Sequence, residues 1–567
     1  VYIVNVLEGF DYLLSNALRY GIRIANCSFA TTGPFDPDDP VNIATRALYD
    51  NGISVVFAAG NYGPAPDTLS PYAVAPWVIG VASGDKTGRL SRFSSRGIFD
   101  EGLYHPTLTA PGEAIVSTSS ISLQGVFGVS GVDNPTGGAT VPPAYAATYS
   151  AASGTSFAAP HVAGVAALML QANPTLSPGQ IKRILQQTAT PMMSRDRSEA
   201  GAGYLDAWAA LALALDASRG FGSFIPDLLD QRAWRYLFDP AVTLTGTVPA
   251  AAQAILPIEL GSSSLVAQLG IAWGPFPSPA DLDLQLYDWG GAQMDQSASF
   301  NAAGLFGSNE GVTVYRPVAT RATAVVSFRT PSPVDQVFTG RFETVQAVFD
   351  AYPDIAQMTP ADRRSATVAL TSLAITGRNN CFCSDGKLSR GEAARLVAMA
   401  GQVPQTIPAS ATFTDVPLSD ASFPFVESLA NPQARRGQLI APKKAALFGA
   451  SNDIERLDLA MAAIKALGLR GAADARAGET LGLVDEASLP AASKGYVALT
   501  LQLGILRVKN TPAGPVFDPG GSVTRLEAAR AATAMVGYFS GASANRPPGS
   551  PSGGRGTGKP RQEQSVQ

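Results

Sequence analysis

The run Gly154-Thr155-Ser156-Phe157-Ala158-Ala159-Pro160-His161-Val162-Ala163-Gly164 sets a serine among small residues, at the mouth of an apolar stretch that reads as a buried helix. A helix N-terminus offers free backbone N–H groups and a partial positive charge. Those groups can stabilise an oxyanion forming beside Ser156, and small neighbours let a peptide approach closely. The chemistry served is acyl transfer. In isolation, Ser156 reads rather as an ordinary helix N-cap. Upstream, Val55-Val56-Phe57-Ala58-Ala59-Gly60-Asn61 is an apolar strand ending in a small-residue turn and an amide. The Asn61 side-chain N–H can donate to the same oxyanion, although alone it reads as a turn residue.

A serine nucleophile needs a base within about 3 Å and an acid to orient that base. The chain has 2 histidines. His161 lies five residues after Ser156, about 7.5 Å further along a helix and well around its axis. His105 precedes Pro106 in a loop. Neither is placed to serve.

The segments Gly154–Gly164 and Val55–Asn61, in that order along the chain, resemble the subtilisin-like (subtilase) serine proteases, over about the first 215 residues. The resemblance implies Ser156 as nucleophile and Asn61 as oxyanion donor. It implies that Ser28, Phe29 and Ala30, in Ala25-Asn26-Cys27-Ser28-Phe29-Ala30, form the edge that pairs with a peptide substrate. The family usually has Gly where this chain has Ala30. Ala58, Ala59 and Gly60 would line the other wall of the specificity pocket. Thr109-Ala110-Pro111-Gly112 and Gly201 to Ala207 match further family landmarks, both read as structural. The family order is Asp, His, Ser. The Asp and His segments are therefore expected upstream of Val1, with Val1–Leu7 as the strand that follows the His helix.

The elements that must position these residues alternate strand-like and helical runs over residues 1–218, the pattern of an α/β parallel sheet. Val1–Leu7, Ile22–Phe29 and Ile53–Ala59 read as buried strands. Phe10–Tyr20, Val41–Asn51, His161–Ala172 and Pro178–Gln187 read as helices, with Ser177-Pro178 opening the last. Residues 238–342 change to short, Gly/Pro/Ser-punctuated strands, a β-sandwich pattern. This stretch resembles the accessory domains that follow secreted proteases. Its Asp281-Leu282-Asp283-Leu284-Gln285-Leu286-Tyr287-Asp288 clusters oxygen ligands that could hold a structural calcium, although a solvated strand face reads as well.

Residues 345–540 are helix-rich and repeat three times. Phe382, Phe448 and Phe517 each precede an arginine by eight positions: Arg390, Arg456 and Arg525. Each arginine is followed two positions later by an acid: Glu392, Asp458 and Glu527. Asp354, Asp415 and Asp485 stand upstream of each unit. Stacked units of this kind bury one another's faces. The pattern resembles S-layer homology repeats. It implies an extracellular, cell-surface location and a cell-wall polysaccharide partner held by Arg390, Arg456 and Arg525; the alternative is that each arginine pairs with a neighbouring acid for purely structural reasons.

Bulk properties bound the rest. The chain has 567 residues, 46% hydrophobic and 15% charged, which suits several folded domains. A net charge of −4 without a basic stripe points away from nucleic acid. No apolar run reaches the ~20 residues of a membrane span. Three cysteines give no disulfide framework: Cys381 and Cys383 read as bland loop residues, Cys27 as an inert filler. No metal site or cofactor is otherwise expected. The tail after Ser540 is Pro/Gly/Ser-rich and reads as disordered. The expectation is a multidomain surface serine endopeptidase acting on protein or peptide, inactive as it stands. The alternative is a non-catalytic surface protein.

Overall fold

A computed structural model describes residues 2–118, 141–145, 148–222, 234–274, 280–288, 291, 293–297, 309–329 and 331–540. The expected disordered tail lies outside them.

The N-terminal unit is built on a four-stranded parallel sheet in the order β1-β2-β3-β4: Ile24–Cys27, Ser54–Ala58, Ile79–Gly84 and Leu108–Pro111. Every residue of β2 and β3 is buried, as continuous apolar runs covered on both faces require. Helices α1 (Ile3–Tyr20) and α2 (Pro40–Asp50) cover one face. The antiparallel pair β5 (Ile115–Thr118) and β6 (Tyr149–Ala152) leads into α3 (Thr155–Ala172). Ala158, Ala159, Val162, Ala166 and Met169 of α3 pack in one core with Val56, Val81 and Leu108. Then follow α4 (Pro178–Thr188), α5 (Arg197–Ala200) and α6 (Ala207–Leu215). Ser177 caps α4 with a reciprocal Gln180 capping box, as Ser177-Pro178 suggested.

One expectation is corrected here. The run expected as a strand, Val1–Leu7, enters a single helix that begins at Ile3; Val1 itself is outside the described residues. Val6, Phe10, Leu13, Leu14 and Ala17 follow helical spacing and pack together against the sheet. The β-branched start had suggested a strand, but short apolar runs do not fix the period. Gly21, at φ 65°, ends the helix.

The described residues between 235 and 348 form two antiparallel sheets around one apolar core. The first joins β13 (Asn309–Tyr315), β10 (Ser264–Trp273), β15 (Gln336–Val348) and β7 (Arg235–Phe238), with β8 (Val242–Val248) also on β15. The second joins β12 (Gln293–Ser297), β11 (Leu282–Asp288), β14 (Arg321–Phe328) and β9 (Gln253–Glu259). Leu282, Leu284 and Leu286 alternate inward on β11, opposite Ala322, Ala324 and Val326 of β14. The acidic stretch there faces an arginine. Arg329 approaches Asp281 at 3.9 Å and Asp283 at 3.8 Å. Burial lifts the Asp283 carboxyl to about 6. Among the described residues no three acidic, His or Cys side chains converge to hold a metal ion.

The third region carries α7 (Pro360–Thr371), α8 (Arg390–Ala400), α9 (Phe423–Ala430), α10 (Arg456–Ala466), α11 (Arg470–Asp474), α12 (Lys494–Gln502) and α13 (Arg525–Ser540). Its three arginine-led helices close a ring. Arg390 Nη1 bonds Asp458 at 2.9 Å, Arg456 Nη1 bonds Glu527, and Arg525 Nη1 bonds Glu392 at 3.0 Å. Each arginine thus reaches the next unit, and the third returns to the first. The Nε of Arg390, Arg456 and Arg525 donates to the carbonyls of Phe448, Phe517 and Phe382, at 3.2, 2.7 and 2.7 Å. Each Nη2 donates to a further carbonyl, of Ala441, Arg507 and Thr376. Each guanidinium also lies over the ring of that same Phe. Asp354, Asp415 and Asp485 accept backbone N–H groups at Phe382, Phe448 and Phe517, fixing the loops.

This geometry corrects the glycan-binding reading of Arg390, Arg456 and Arg525. All three side chains are 0% exposed and spend their donors inside the ring. A polymer in solvent has no access to them. A second correction concerns Cys381 and Cys383, which are disulfide-bonded two residues apart. Cys27 is buried and its thiol is pushed up to about 12 by burial, as an inert filler should be.

Candidate active site

Gly154 stands as N-cap of α3, and the first turn carries no acid, so its positive end is uncompensated. Gly154 N donates to Gly112 O at 2.8 Å, tying the helix mouth to the end of β4. A Cβ on Gly112 would lie 2.5 Å from Ser83 Oγ and 2.7 Å from Gly154 O. Only glycine allows this approach, which explains why Thr109 to Gly112 was legible as a structural landmark. The other landmark backs β4: Leu205 N donates to Thr109 O, and Thr109 N to Gly203 O, both at 2.8 Å.

Ser156 Oγ donates to the Ser28 carbonyl at 3.1 Å, and Ser28 Oγ donates to the Ser156 carbonyl at 2.8 Å. The second bond has a cause in sequence. Pro160, inside α3, has no N–H to give the carbonyl four residues before it, so the Ser156 oxygen is open to Ser28. Sequence reasoning singled out Ser28 but missed Pro160; the signal was its position four residues after Ser156.

Asn61 is oriented by its own oxygen. Thr155 N and Thr155 Oγ1 both donate to Asn61 Oδ1 at 2.9 Å. The Thr155 hydroxyl also accepts from Gly60 N at 3.2 Å. Among the described residues Asn61 Nδ2 has no hydrogen-bond acceptor, and it borders Gly154. The amide nitrogen thus lies beside the helix mouth that carries Ser156. Thr155, fully buried, was not recognised from sequence, although it sits inside the motif.

The remaining expected residues divide. Gly60 adjoins the site; at φ 111° it needs glycine, and a Cβ would meet Ser95 Oγ at 2.6 Å. The side chains of Ala58 and Ala59 point into the core, so only their backbone could face a substrate. Phe29 packs edge-on against Phe57 at 5.3 Å. Strand β1 ends at Cys27, so Ser28, Phe29 and Ala30 continue beyond its ladder.

Among the described residues neither histidine is hydrogen-bonded to Ser156, whose Oγ donates to the Ser28 carbonyl. His161 Nδ1 lies 2.8 Å from Phe157 O on its own helix. His105 Nδ1 lies 2.8 Å from Pro106 O. Burial first, then the Arg197 charge, lowers the His105 pKa to about 4. The unfolded chain binds a proton near pH 6.5 that the folded chain refuses, so stability is full above that value and falls as pH drops toward 4. The lowering corresponds to on the order of 2 to 3 kcal/mol once partial exposure is discounted. Urea unfolding at pH 7 and pH 4.5 should show a larger loss for the native sequence than for His105→Asn. Equal losses would contradict a buried neutral His105.

Comparison with known proteins agrees with the motifs. The subtilase family model matches residues 7–207. The chain is 34% identical over 179 residues to serine protease AprX of Bacillus subtilis (strain 168), covering 30% of this chain and 38% of that protein. It is 31% identical over 187 residues to subtilisin DY of Bacillus licheniformis, covering 33% and 54%. A cold adapted subtilisin-like serine proteinase of known structure is 27% identical, covering 36% of this chain and 59% of that chain, with a TM-score of 0.26. The chain therefore spans between about two fifths and three fifths of the length of these relatives.

Proposed function

We propose, from the premise that residues 7–207 are a subtilisin-like serine peptidase domain, that this chain carries the nucleophile half of an extracellular endopeptidase. The observation that supports this best is the joint placement of Ser156 at the α3 N-terminus and the Asn61 amide, pinned by Thr155 with its N–H unused. In the reaction, Ser156 Oγ attacks the scissile carbonyl while a base takes its proton. Asn61 Nδ2–H and first-turn N–H groups hold the resulting oxyanion. Collapse expels the amine, which takes the proton back, and water then hydrolyses the acyl-enzyme by the same path. The base and its orienting acid would be a His and an Asp from segments upstream of Val1, as the order Asp, His, Ser implies, because Ser156 Oγ donates to the Ser28 carbonyl and to neither His105 nor His161. Ser28, Phe29 and Ala30 would border the substrate on one side and the Gly60 backbone on the other. Fluorophosphonate labelling of Ser156, with and without the natural upstream segment, tests this reading.

The region after residue 345 supports a cell-surface reading in the same protein, by its likeness to S-layer homology repeats and its ring of three similar units. The two-sheet unit before it would be an accessory domain of the kind that follows secreted proteases. In this reading the ring contacts a cell-wall polysaccharide through groups other than Arg390, Arg456 and Arg525. Pull-down of the full chain with purified cell-wall polysaccharide should retain it. Complete recovery in the flow-through would contradict attachment. Without an upstream Asp and His, the alternative is a non-catalytic surface protein on the same scaffold.

A further inference from the structure

A cavity of about 490 Å³ opens where α7, α13 and the loop after α12 meet the two-sheet unit. Arginines reach it from four places: Arg321 from β14, Arg364 from α7, Arg507 from the loop after α12, and Arg530 from α13. Among the described residues no carboxylate lines it. Two of the four are already paired, Arg321 with Glu259 at 2.9 Å and Arg530 with Asp362 at 2.6 Å. Arg364 and Arg507 make no ion pair among the described residues.

Arg364 is the informative one. Its side chain is almost wholly buried. Nη1 donates to the Ser264 carbonyl. Nε and Nη2 are buried and have no acceptor. These two N–H groups share one edge of the guanidinium plane, the edge that takes a carboxylate or phosphate bidentately. Burial and the neighbouring Arg316 push its pKa down to about 9, as an uncompensated buried cation should behave. A buried charge with its fork open is costly unless something completes it.

We propose that this cavity is a binding site for a small oxyanion-bearing ligand, a phosphate or carboxylate compound, steered in by Arg507 and gripped by the Nε–Nη2 edge of Arg364, which is covered in the ligand-free structure and turns to meet the anion. Its volume suits a ligand of a few to some tens of atoms. The proposal does not depend on the peptidase reading. The test is isothermal titration calorimetry of the full chain with inorganic phosphate and, separately, with malonate, at matched chloride. Saturable one-site binding of either is expected, and which one binds names the anion class. Arg364→Lys keeps the charge but loses the fork, and should weaken binding about tenfold. Arg507→Gln, at the exposed rim, should weaken it about threefold and leave the ligand-free unfolding temperature unchanged. No saturable binding of either anion, or native affinity in Arg507→Gln together with Arg364→Lys, would overturn the proposal. If Arg364→Lys does not fold, the Arg507→Gln result and the native titrations decide it.

Discussion

Replacing Arg456 with methionine should destabilise the helical ring by about 3 to 5 kcal/mol, the range for removing one partner of a buried ion pair. Methionine fills the volume but satisfies nothing. The carbonyls of Phe517 and Arg507 lose donors at 2.7 and 2.6 Å, and Glu527 loses its cation. Glu527 is only 21% exposed, so water cannot fully take over. Arg390→Met should cost less, because its partner Asp458 is 37% exposed and can rehydrate. Arg456→Lys should rescue little, since one ammonium cannot span three acceptors in a plane. Thermal unfolding followed by far-UV circular dichroism reads the effect, with a shift of roughly 10 °C expected for Arg456→Met. A shift within a degree or two of the native protein would show that the ring does not depend on its arginines.

The local parts of this molecule were open to sequence reading and the relational parts were not. Phe517, Arg525 and Glu527 announce a repeat unit by spacing alone. That Arg525 serves Glu392 of the first unit, and not its own Glu527, depends on closure of a ring over more than a hundred residues. No spacing rule carries that information, and so the arginines read as ligands. The same distinction holds at the site. Ser156 and Asn61 sit in contiguous motifs whose residue types dictate a helix mouth and a strand-end turn. Thr155 as the clasp on Asn61, and Pro160 as the residue that opens the Ser156 carbonyl to Ser28, appear only when segments about a hundred residues apart meet. Residues 3–20 were misread in part because β-branched side chains at a helix start imitate a strand until the whole apolar stripe is counted.

The second large effect concerns Asn61. In the protein extended by its upstream segment, Asn61→Leu should lower kcat by about 10²- to 10³-fold with little change in KM. That order is the one known for the oxyanion-hole amide of subtilisin. The structure adds a sharper distinction. Asn61→Asp keeps the acceptor that holds Thr155 N and Oγ1, and so should fold with native stability. It removes the donor and sets a negative charge where the oxyanion forms, so its kcat should fall at least as far. Steady-state hydrolysis of a peptide substrate measures both. If Asn61→Asp retained native kcat, the amide would be a structural clasp and nothing more.

In the proposed function, Ser156 is a nucleophile that acts only once a base is supplied. The most direct measurement is fluorophosphonate labelling with peptide mapping, on this chain alone and on the chain preceded by its natural upstream sequence. The expected result is rapid labelling at Ser156 in the extended protein only, abolished by Ser156→Ala. Rapid labelling of Ser156 in the chain alone would contradict the claim, as would an extended protein that is not labelled there.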